Sequence, residues 1–421
     1  MKKVLFITYY FPPSGKASLH FPLYIMKHLP DFGWQASVLT VMEDKFSFRD
    51  ESLLKDIQPS TDVIKTKTFE PFDLYKKFLG KDKDAQLIAS ETISKENKSI
   101  SHRIAVWIRM NLFIPDARVG WYLPGVKKAS EYIKKNKVDA IVSIGPPHTA
   151  QLIGKKLSEK FNILFVPVFI DPWTDIIYYK EQNRNWLTKA IDSSLEKSVI
   201  KRASHIIFVT ETMRTDFIKK YPFAREKSSV LYWGYNEEDF ESIKPYDWKE
   251  DGKVLIHAGN IFDYQNPVNF WKYIRKRNED GEKIKIKFIG TVSPAIKKTI
   301  EETGLSADTE YLGFLSYKEM LSRLMGADYL LVCASEPRHV PGKLFEYLRI
   351  GKPIIAFGDG NNEVEKILTD SSAGMLFHYD ESGEEFFSSK KTFKNNFEII
   401  KKFDRKVTAE KIATILSTIN L

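Results

Sequence analysis

The sequence contains very little cysteine and no long apolar run. Its 421 residues include one cysteine, Cys333, so an internal disulfide and a cysteine-based metal cluster are excluded. No run reaches the roughly 18 apolar residues that a membrane-spanning helix needs. The apolar segment at residues 4–7 is too short for a signal peptide and is interpreted as a first buried strand. These absences favour a cytoplasmic globular protein.

Sequence motifs of several common functional classes are also missing. There is no His-Glu-x-x-His zinc spacing, no Gly-x-Ser-x-Gly nucleophile elbow and no zinc-finger or RNA-binding motif. A Walker loop is excluded because Tyr10 stands where its first glycine belongs. Asp82-Lys83-Asp84 has the form of a metal-binding motif but lies in a lysine-rich stretch, so it is interpreted as a solvated charge run. We therefore expect neither a metal nor a nucleic-acid partner.

Charge favours an anionic partner. The net charge is +9, from 64 basic and 55 acidic residues, which suits nucleotides or anionic lipid surfaces; a lysine-rich solvated surface is the alternative. Residues 101–115 are aromatic, basic and free of acids. They predict a helix lying at an anionic membrane surface, with a helix packed on its own domain as the alternative.

Short apolar runs alternate with amphipathic stretches along the chain, as in βαβ units whose parallel strands are buried on both faces. The predicted strands are Lys3–Thr8, Gln35–Thr40, Ala140–Ile144, Leu164–Ile170, His205–Thr210, Val254–Ala258, Ile284–Ile289, Tyr329–Cys333 and Pro353–Phe357. Two such series predict an α/β protein with two doubly wound, Rossmann-like domains. The polar segment Phe240–Gly252 is the predicted hinge. It divides the chain into domains at 1–243 and 244–403, with a terminal helix over about 404–421.

The segment from Val340 to Phe357 reads as a helix followed by a buried strand. Pro341 suits the first helical position, and Gly351 suits the left-handed position that ends a helix. Lys343 and Glu346 share one face near the positive end of the helix. A cation, a carboxylate and free backbone N–H groups then converge on one point, an arrangement suited to a phosphate and a ribose.

Other polar segments follow predicted strands, where open α/β sheets bind ligands. Gly15 and Lys16 lie in the first strand-to-helix turn, as an anion-binding loop or an ordinary connection. His148 is a ligand contact or a structural histidine, and Asp171 is a polar site group or a helix cap. Gly358–Glu363 is a plain turn or a set of ligand contacts.

Segments throughout the chain resemble, in order, the retaining glycosyltransferase family four of the GT-B fold. They are residues 9–13 with the loop at Gly15, Ile114–Trp121, Ser143–His148, Asp171–Trp173, Val230–Phe240, His257–Ile261, Tyr311–Ser316 and Pro341–Tyr347. The resemblance implies two Rossmann-like domains facing across a cleft, the terminal helix packing back on the N-terminal domain. It also implies transfer of a hexose from a nucleotide-diphosphate sugar to a hydroxyl of a glycan or lipid-linked acceptor. No metal or cofactor is implied.

The resemblance also implies roles for individual residues. Glu346 accepts hydrogen bonds from the ribose, and Lys343 lies near the diphosphate, over which the loop with Gly15 and Lys16 closes. His148 faces the sugar or the acceptor. The second catalytic candidate is Asp171, and the remaining nucleotide-binding candidates are Gly259, Asn260, Gly313, Phe314, Arg338 and Leu344.

Two positions depart from the family pattern. Arg338 stands where the family's Glu-x7-Glu pair has its first glutamate, and a guanidinium clamps phosphate but cannot accept as a carboxylate does. Asn260 stands where an arginine is common, so Arg338 or Lys343 is expected to supply the missing positive charge.

The leading hypothesis is a cytoplasmic enzyme of surface polysaccharide biosynthesis, peripheral on the inner face of the cell membrane. The alternatives are a sugar-nucleotide epimerase on the same fold and a degenerate transferase acting as a binding or scaffold protein. The sequence does not identify the base, sugar, acceptor or linkage.

Overall fold

The structure is a computed structural model and describes residues 1–46, 49–69, 100–175, 184–334, 336–388 and 392–419. The chain divides into two compact units. Unit 1 contains residues 1–231 and 409–421, and unit 2 contains residues 232–408. The sequence analysis placed the boundary at 243/244.

Unit 1 contains one parallel sheet in the order β3-β2-β1-β4-β5-β6-β7. Its strands are β1 (Lys2–Ile7), β2 (Trp34–Val41), β3 (Asp62–Thr66), β4 (Ala140–Gly145), β5 (Leu164–Phe169), β6 (Ile206–Phe208) and β7 (Ser228–Val230). Its helices are α1 (His20–His28), α2 (Ile100–Leu112), α3 (Tyr122–Lys135), α4 (Thr149–Phe161), α5 (Trp186–Arg202) and α6 (Glu211–Lys220). The strand order reverses between β1 and β4, where Val4 pairs with Ala140. The loops after these two strands therefore leave the same edge at a switch point, the usual ligand position in such sheets.

Unit 2 repeats this plan in the order β10-β9-β8-β11-β12-β13, again with parallel pairs. Its strands are β8 (Lys253–Ala258), β9 (Ile284–Ile289), β10 (Thr309–Gly313), β11 (Tyr329–Cys333), β12 (Ile354–Phe357) and β13 (Gly374–Phe377). Its helices are α7 (Val268–Glu279), α8 (Pro294–Glu302), α9 (Tyr317–Gly326), α10 (Lys343–Ile350), α11 (Asn362–Asp370) and α12 (Phe397–Ile400). The switch point lies between β8 and β11.

The last helix, α13 (Arg405–Thr418), begins in unit 2, and its residues from Ala409 onward belong to unit 1. Within unit 1, Ser417 near its end accepts a hydrogen bond from Nε1 of the buried Trp34, at 3.2 Å.

Continuous apolar strands form the centre of both sheets. Residues 4–7 of β1 and residues 330–332 of β11 are fully buried, as expected for parallel strands covered by helices on both faces. The predicted α/β class with two Rossmann-like units is confirmed. All nine predicted strands are present, and four others, β3, β7, β10 and β13, were not predicted.

The start of α10 differs from the prediction. The helix begins at Lys343, with Gly342 as its N-cap, so Pro341 precedes the helix and its predicted first position was wrong. The first turn is tightened, because the N–H of Leu344 donates to the carbonyl of Pro341 at 3.0 Å and that of Phe345 donates to Gly342 at 3.2 Å. The predicted stop is confirmed, since Gly351 adopts φ 80° and caps the helix.

Among the described residues, no helix is both long and apolar enough to cross a bilayer.

Candidate functional site

Lys343 places its ammonium at the switch point of unit 2. Its Nζ lies 3.2 Å from Nε2 of His257 on β8, while Nδ1 of His257 lies 3.0 Å from the carbonyl of Leu331 on β11. Nδ1–H therefore donates to the carbonyl, and Nε2 accepts from the ammonium. A Cβ on Gly259 would lie 2.6 Å from Nζ. Gly259 also has φ 111°, which side chains rarely tolerate, so glycine suits both the backbone conformation and the close approach of the ammonium.

Burial controls the protonation of this pair. It lowers the pKa of Lys343 to about 8, against the opposing charges of Cys333 and Glu346. The pKa of His257 falls well below its usual value because the ring is buried beside Lys343. Within the described residues Lys343 makes no ion pair. Near pH 7 the site thus presents a positive charge beside a neutral imidazole.

Glu346 lies one turn further along α10. Its Oε1 accepts a 2.8 Å hydrogen bond from the hydroxyl of Tyr317. Burial raises the pKa of its carboxyl, opposed by the Arg405 guanidinium and by the Tyr317 bond. Arg405 is itself buried and donates from Nε to the carbonyl of Trp233 at 3.3 Å. The second carboxylate oxygen of Glu346, Oε2, has no hydrogen-bond partner in the described part of the chain, so it could accept a hydrogen bond from a ligand.

Three glycines join the ends of β8, β9 and β10. The N–H of Gly290 donates to the carbonyl of Gly313 at 2.6 Å, and a Cβ on Gly290 would lie 2.8 Å from the carbonyl oxygen of Gly259. All three have positive φ, at 111° for Gly259, 99° for Gly290 and 67° for Gly313. Phe314 follows and is 83% exposed. The strand ends therefore form an open backbone surface beside Lys343.

The remaining candidates of unit 2 occupy different environments. Asn260 is exposed next to Gly259. The side chain of Leu344 is buried in the hydrophobic core, and its N–H is already bonded to Pro341. Leu344 therefore anchors the start of α10 in the core, and its contact with a nucleotide stays a prediction.

Arg338 lies half-buried in the loop after β11, which Asn361 holds in place. Nδ2 of Asn361 donates to the carbonyls of Glu336 and His339 at 2.9 and 2.8 Å. Its Oδ1 accepts from the N–H of Val364 at 3.1 Å and caps α11. Asn361 is fully buried. Its contacts therefore support the interpretation of Gly358–Glu363 as a plain turn.

His148 occupies the switch point of unit 1, as the N-cap residue of α4. Its ring stacks on Trp173 with centroids 4.7 Å apart and planes 5° apart. The ring is buried, and neither nitrogen makes a hydrogen bond of ordinary geometry within the described residues. Burial lowers the pKa of His148 to about 3, slightly opposed by the backbone of Pro172. The imidazole is therefore neutral across the physiological range.

Asp116 caps the helix that follows His148. Its carboxylate accepts from the N–H and the hydroxyl of Thr149, both at 2.9 Å. Burial raises the pKa of Asp116, and these bonds oppose the shift. The cap fixes the first turn of α4 and with it the backbone of His148.

Two buried carboxylates of α5 hold the Asp171-Pro172-Trp173 segment. Asp192 accepts from Nε1 of Trp173 at 2.7 Å and from the Arg184 guanidinium at 2.7 Å. Glu196 accepts from the N–H of Thr174 at 3.1 Å. The sequence analysis did not identify either acid. Their spacing of one helical turn was the only pattern that could have indicated a shared role. Asp171, at the end of this supported segment, is half-buried.

Gly15 and Lys16 lie in the loop that follows β1, and β1 is the neighbour of β4 in the sheet. The N–H of Lys16 lies 3.4 Å from the Ser14 hydroxyl, and the side chain of Lys16 is exposed.

No group of three His, Cys, Asp or Glu side chains in the described residues is arranged to hold a metal ion. Asp82 and Asp84 lie outside the described residues.

Comparison with solved structures identifies the class of fold. The Anabaena protein HepE, crystallised with UDP and glucose, matches with a TM-score of 0.62 and 17% identity over 100% of both chains. Sucrose-phosphate synthase from Thermosynechococcus elongatus matches at 0.63 and 12%, over 99% of this chain and 98% of that one. The lipopolysaccharide outer core galactosyltransferase WaaB matches at 0.59 and 12%, over 99% of both chains. At these identities the likeness concerns the fold, which is GT-B.

Sequence comparison then gives the family. The profile described as Glycosyl transferases group 1 matches residues 238–386, and that described as Glycosyltransferase Family 4 matches residues 72–239. The chain belongs to the group 1 family of GT-B glycosyltransferases, which confirms the resemblance read from the sequence. No curated protein sequence matches it significantly.

Proposed function

We propose that this protein is a retaining glycosyltransferase that moves a hexose from a nucleotide-diphosphate sugar to a hydroxyl of a glycan or lipid-linked saccharide. The observation that carries the proposal is the ammonium of Lys343 over the backbone of Gly259, one turn before Glu346. A positive charge at a helix start suits a diphosphate, and a carboxylate beside it suits the ribose hydroxyls. The UDP and glucose in HepE and the galactosyltransferase WaaB support a nucleotide sugar and a surface-polysaccharide product.

Each group has a stated task in this proposal. Lys343 binds the diphosphate and supplies the positive charge that the family's arginine gives at the position of Asn260. Arg338 is a second phosphate contact. Oε2 of Glu346 accepts from the ribose. The exposed ring of Phe314 stacks on the base. The tasks of Gly15 and Lys16 rest on family resemblance alone.

The proposed chemistry needs little from the protein beyond charge and position. The bond from the anomeric carbon to the diphosphate oxygen breaks, and a bond to the acceptor oxygen forms on the same face. The acceptor proton passes to the departing phosphate oxygen. Lys343 stabilises the negative charge that develops on the diphosphate, so we expect no metal requirement. His148, being neutral, contacts sugar hydroxyls without acting as an acid, and Asp171 orients the acceptor.

A two-stage experiment tests the function. A thermal-shift screen over UDP-, GDP-, TDP- and CMP-sugars selects the donor, since a ligand that binds the native state raises its stability. The selected donor is then incubated with and without lipid and glycan extracts, with EDTA in a parallel sample, and products are examined by NMR. We expect acceptor-dependent transfer with the donor's anomeric configuration, unaffected by EDTA. Isomerisation without acceptor would indicate an epimerase, and no nucleotide release in any sample would indicate a scaffold protein.

A further inference from the structure

Helix α5 exposes the residue types that helices usually bury. Trp186 is 79% exposed, Leu187 52% and Ile191 41%. Its two acidic residues, Asp192 and Glu196, are fully buried, because they hold the segment around Trp173. Both acids therefore lie on the inner face of the helix. The outer face carries exposed apolar side chains and the exposed lysines Lys189, Lys197 and Lys201, without an acidic side chain.

The end of α2 extends this apolar face. Asn111 accepts at Oδ1 from the N–H of Asn185 at 2.8 Å and at its carbonyl from the hydroxyl of Thr188 at 3.0 Å. These bonds join the last turn of α2 to the first turn of α5. Trp107, 49% exposed, and Leu112, 60% exposed, lie within one turn of the junction. We call the five exposed side chains the Trp186 patch: Trp107, Leu112, Trp186, Leu187 and Ile191.

Among the described residues of α2 and α5, the exposed charges near the Trp186 patch are positive. Helix α2 contains no acidic residue. Lys197 and Lys201, one turn apart on the outer side of α5, are exposed. Glu159 lines a neighbouring pocket with Leu195 but is paired with Lys155 at 3.3 Å. The surface is therefore both apolar and cationic. A contiguous exposed apolar patch on a soluble protein commonly marks an interaction site.

We propose that the Trp186 patch docks on an anionic lipid bilayer, with the two lysines at the phosphate level. Indole rings favour the boundary between water and lipid, where apolar burial and attraction to anionic headgroups act together. A second copy of the chain fits less well. A two-fold contact uses the same patch on both copies, and the lysines would then face a surface that offers no exposed carboxylate from either helix. The proposal is independent of the sugar chemistry.

Vesicle flotation of the full chain tests this docking. At low salt the protein should float with vesicles containing phosphatidylglycerol and remain behind with pure phosphatidylcholine. Lys197→Glu with Lys201→Glu should reduce partitioning by at least about 25-fold, from roughly fivefold for each of the two surface lysines. Trp186→Ser with Leu187→Ser and Ile191→Ser should reduce it more than about tenfold through lost apolar burial.

Matched controls lie in unit 2. Lys272→Glu with Lys276→Glu repeats the one-turn spacing on exposed positions of α7, and Phe397→Ser removes another exposed aromatic ring. Both should float like the unchanged chain. The proposal is overturned if the unchanged chain does not float with anionic vesicles, or if the controls lose as much binding as the test variants. It is also overturned if light scattering finds a dimer that the triple serine variant abolishes while flotation is unchanged.

Discussion

The switch points of the two units handle charge in opposite ways. In unit 2 the ionisable residues Lys343 and Glu346 are half-buried, and the proposed function assigns both to the nucleotide sugar. In unit 1 His148 is buried, stacked and neutral, and the carboxylate of Asp192 lies behind it, bonded to Trp173. The same sheet topology thus carries ionisable side chains at the switch point of unit 2 and a neutral, stacked imidazole at that of unit 1.

The supporting contacts differ as well. Unit 2 has three glycines, Gly259, Gly290 and Gly313, at the ends of its strands, so backbone without a side chain lies beside Lys343. Unit 1 fixes an aromatic ring with buried acids in the layer behind. We infer that charge removal should affect binding and rate in unit 2 but mainly stability in unit 1, and the following predictions test this contrast.

The largest effect is expected for Lys343→Met. Without the ammonium, sugar transfer should slow by roughly 100- to 1,000-fold, because the departing diphosphate loses its charge stabilisation. Initial rates with the selected donor measure this. Lys272→Met removes an exposed lysine elsewhere in unit 2 and should leave the rate unchanged. A loss of less than about threefold at Lys343 would remove it from the proposed mechanism.

Asp192→Asn should act on stability. The change leaves the buried guanidinium of Arg184 without its carboxylate, which costs about 3 kcal/mol in unfolding free energy. Urea unfolding followed by tryptophan fluorescence measures the loss. Glu211→Gln breaks the exposed pair with Arg214 and should change the free energy by less than about 0.5 kcal/mol. Equal effects of the two variants would contradict the supporting role of Asp192.

Glu346→Gln should weaken binding of the selected nucleotide sugar by roughly 10- to 100-fold, since hydrogen bonds to a charged acceptor are replaced by weaker ones. Calorimetry gives the dissociation constant. Tyr317→Phe deletes the hydroxyl that donates to Oε1 but keeps the Glu346 carboxylate, so it should cost about fivefold or less. Unchanged affinity for Glu346→Gln would exclude the proposed ribose contact.

The smallest effect concerns pH. Lys343 has its pKa lowered to about 8, so its ammonium is lost as pH rises through that value. Affinity for the nucleotide sugar should therefore fall above about pH 8, by at most about tenfold per unit. It should be flat from pH 5.5 to 7, because His148, with its pKa lowered to about 3, is already neutral there. Calorimetry across this range, repeated with Lys343→Arg, should show the decline only in the unchanged chain. A midpoint near 6.5 would instead implicate a histidine.

The sequence predicted correctly the strands that are flanked on both sides within a sheet. The nine predicted strands lie inside the two sheets, where both faces are covered and apolar runs are continuous. The four missed strands, β3, β7, β10 and β13, are the sheet edges, where one side lacks a neighbour. Polar residues interrupt the apolar run in β3, β7 and β10, and β13 is apolar but has only four residues. Periodicity cannot separate such strands from loops.

The same limit applies to the site. His148 was singled out because it follows a strand, and Lys343 and Glu346 because they share a face at a helix start. Gly259 came from the family resemblance, and the roles of all four stay predictions. Gly290 and the acids of α5 depend on contacts between distant segments, so no local pattern identifies them. The start of α10 was misplaced because the tightened turn after Pro341 depends on backbone bonds that propensity does not describe.

The polar edge strands β3, β7 and β10 also bear on aggregation. An edge strand presents unpaired N–H and C=O groups to which another chain can add. Here β7 has only three residues, and β3 carries Asp62, bonded to Tyr132 at 2.7 Å. Glu310 on β10 is bonded to Lys287 at 2.9 Å. A pairing strand from another molecule would have to displace these charges from water, so the residues that concealed the edges from prediction also discourage sheet growth between molecules.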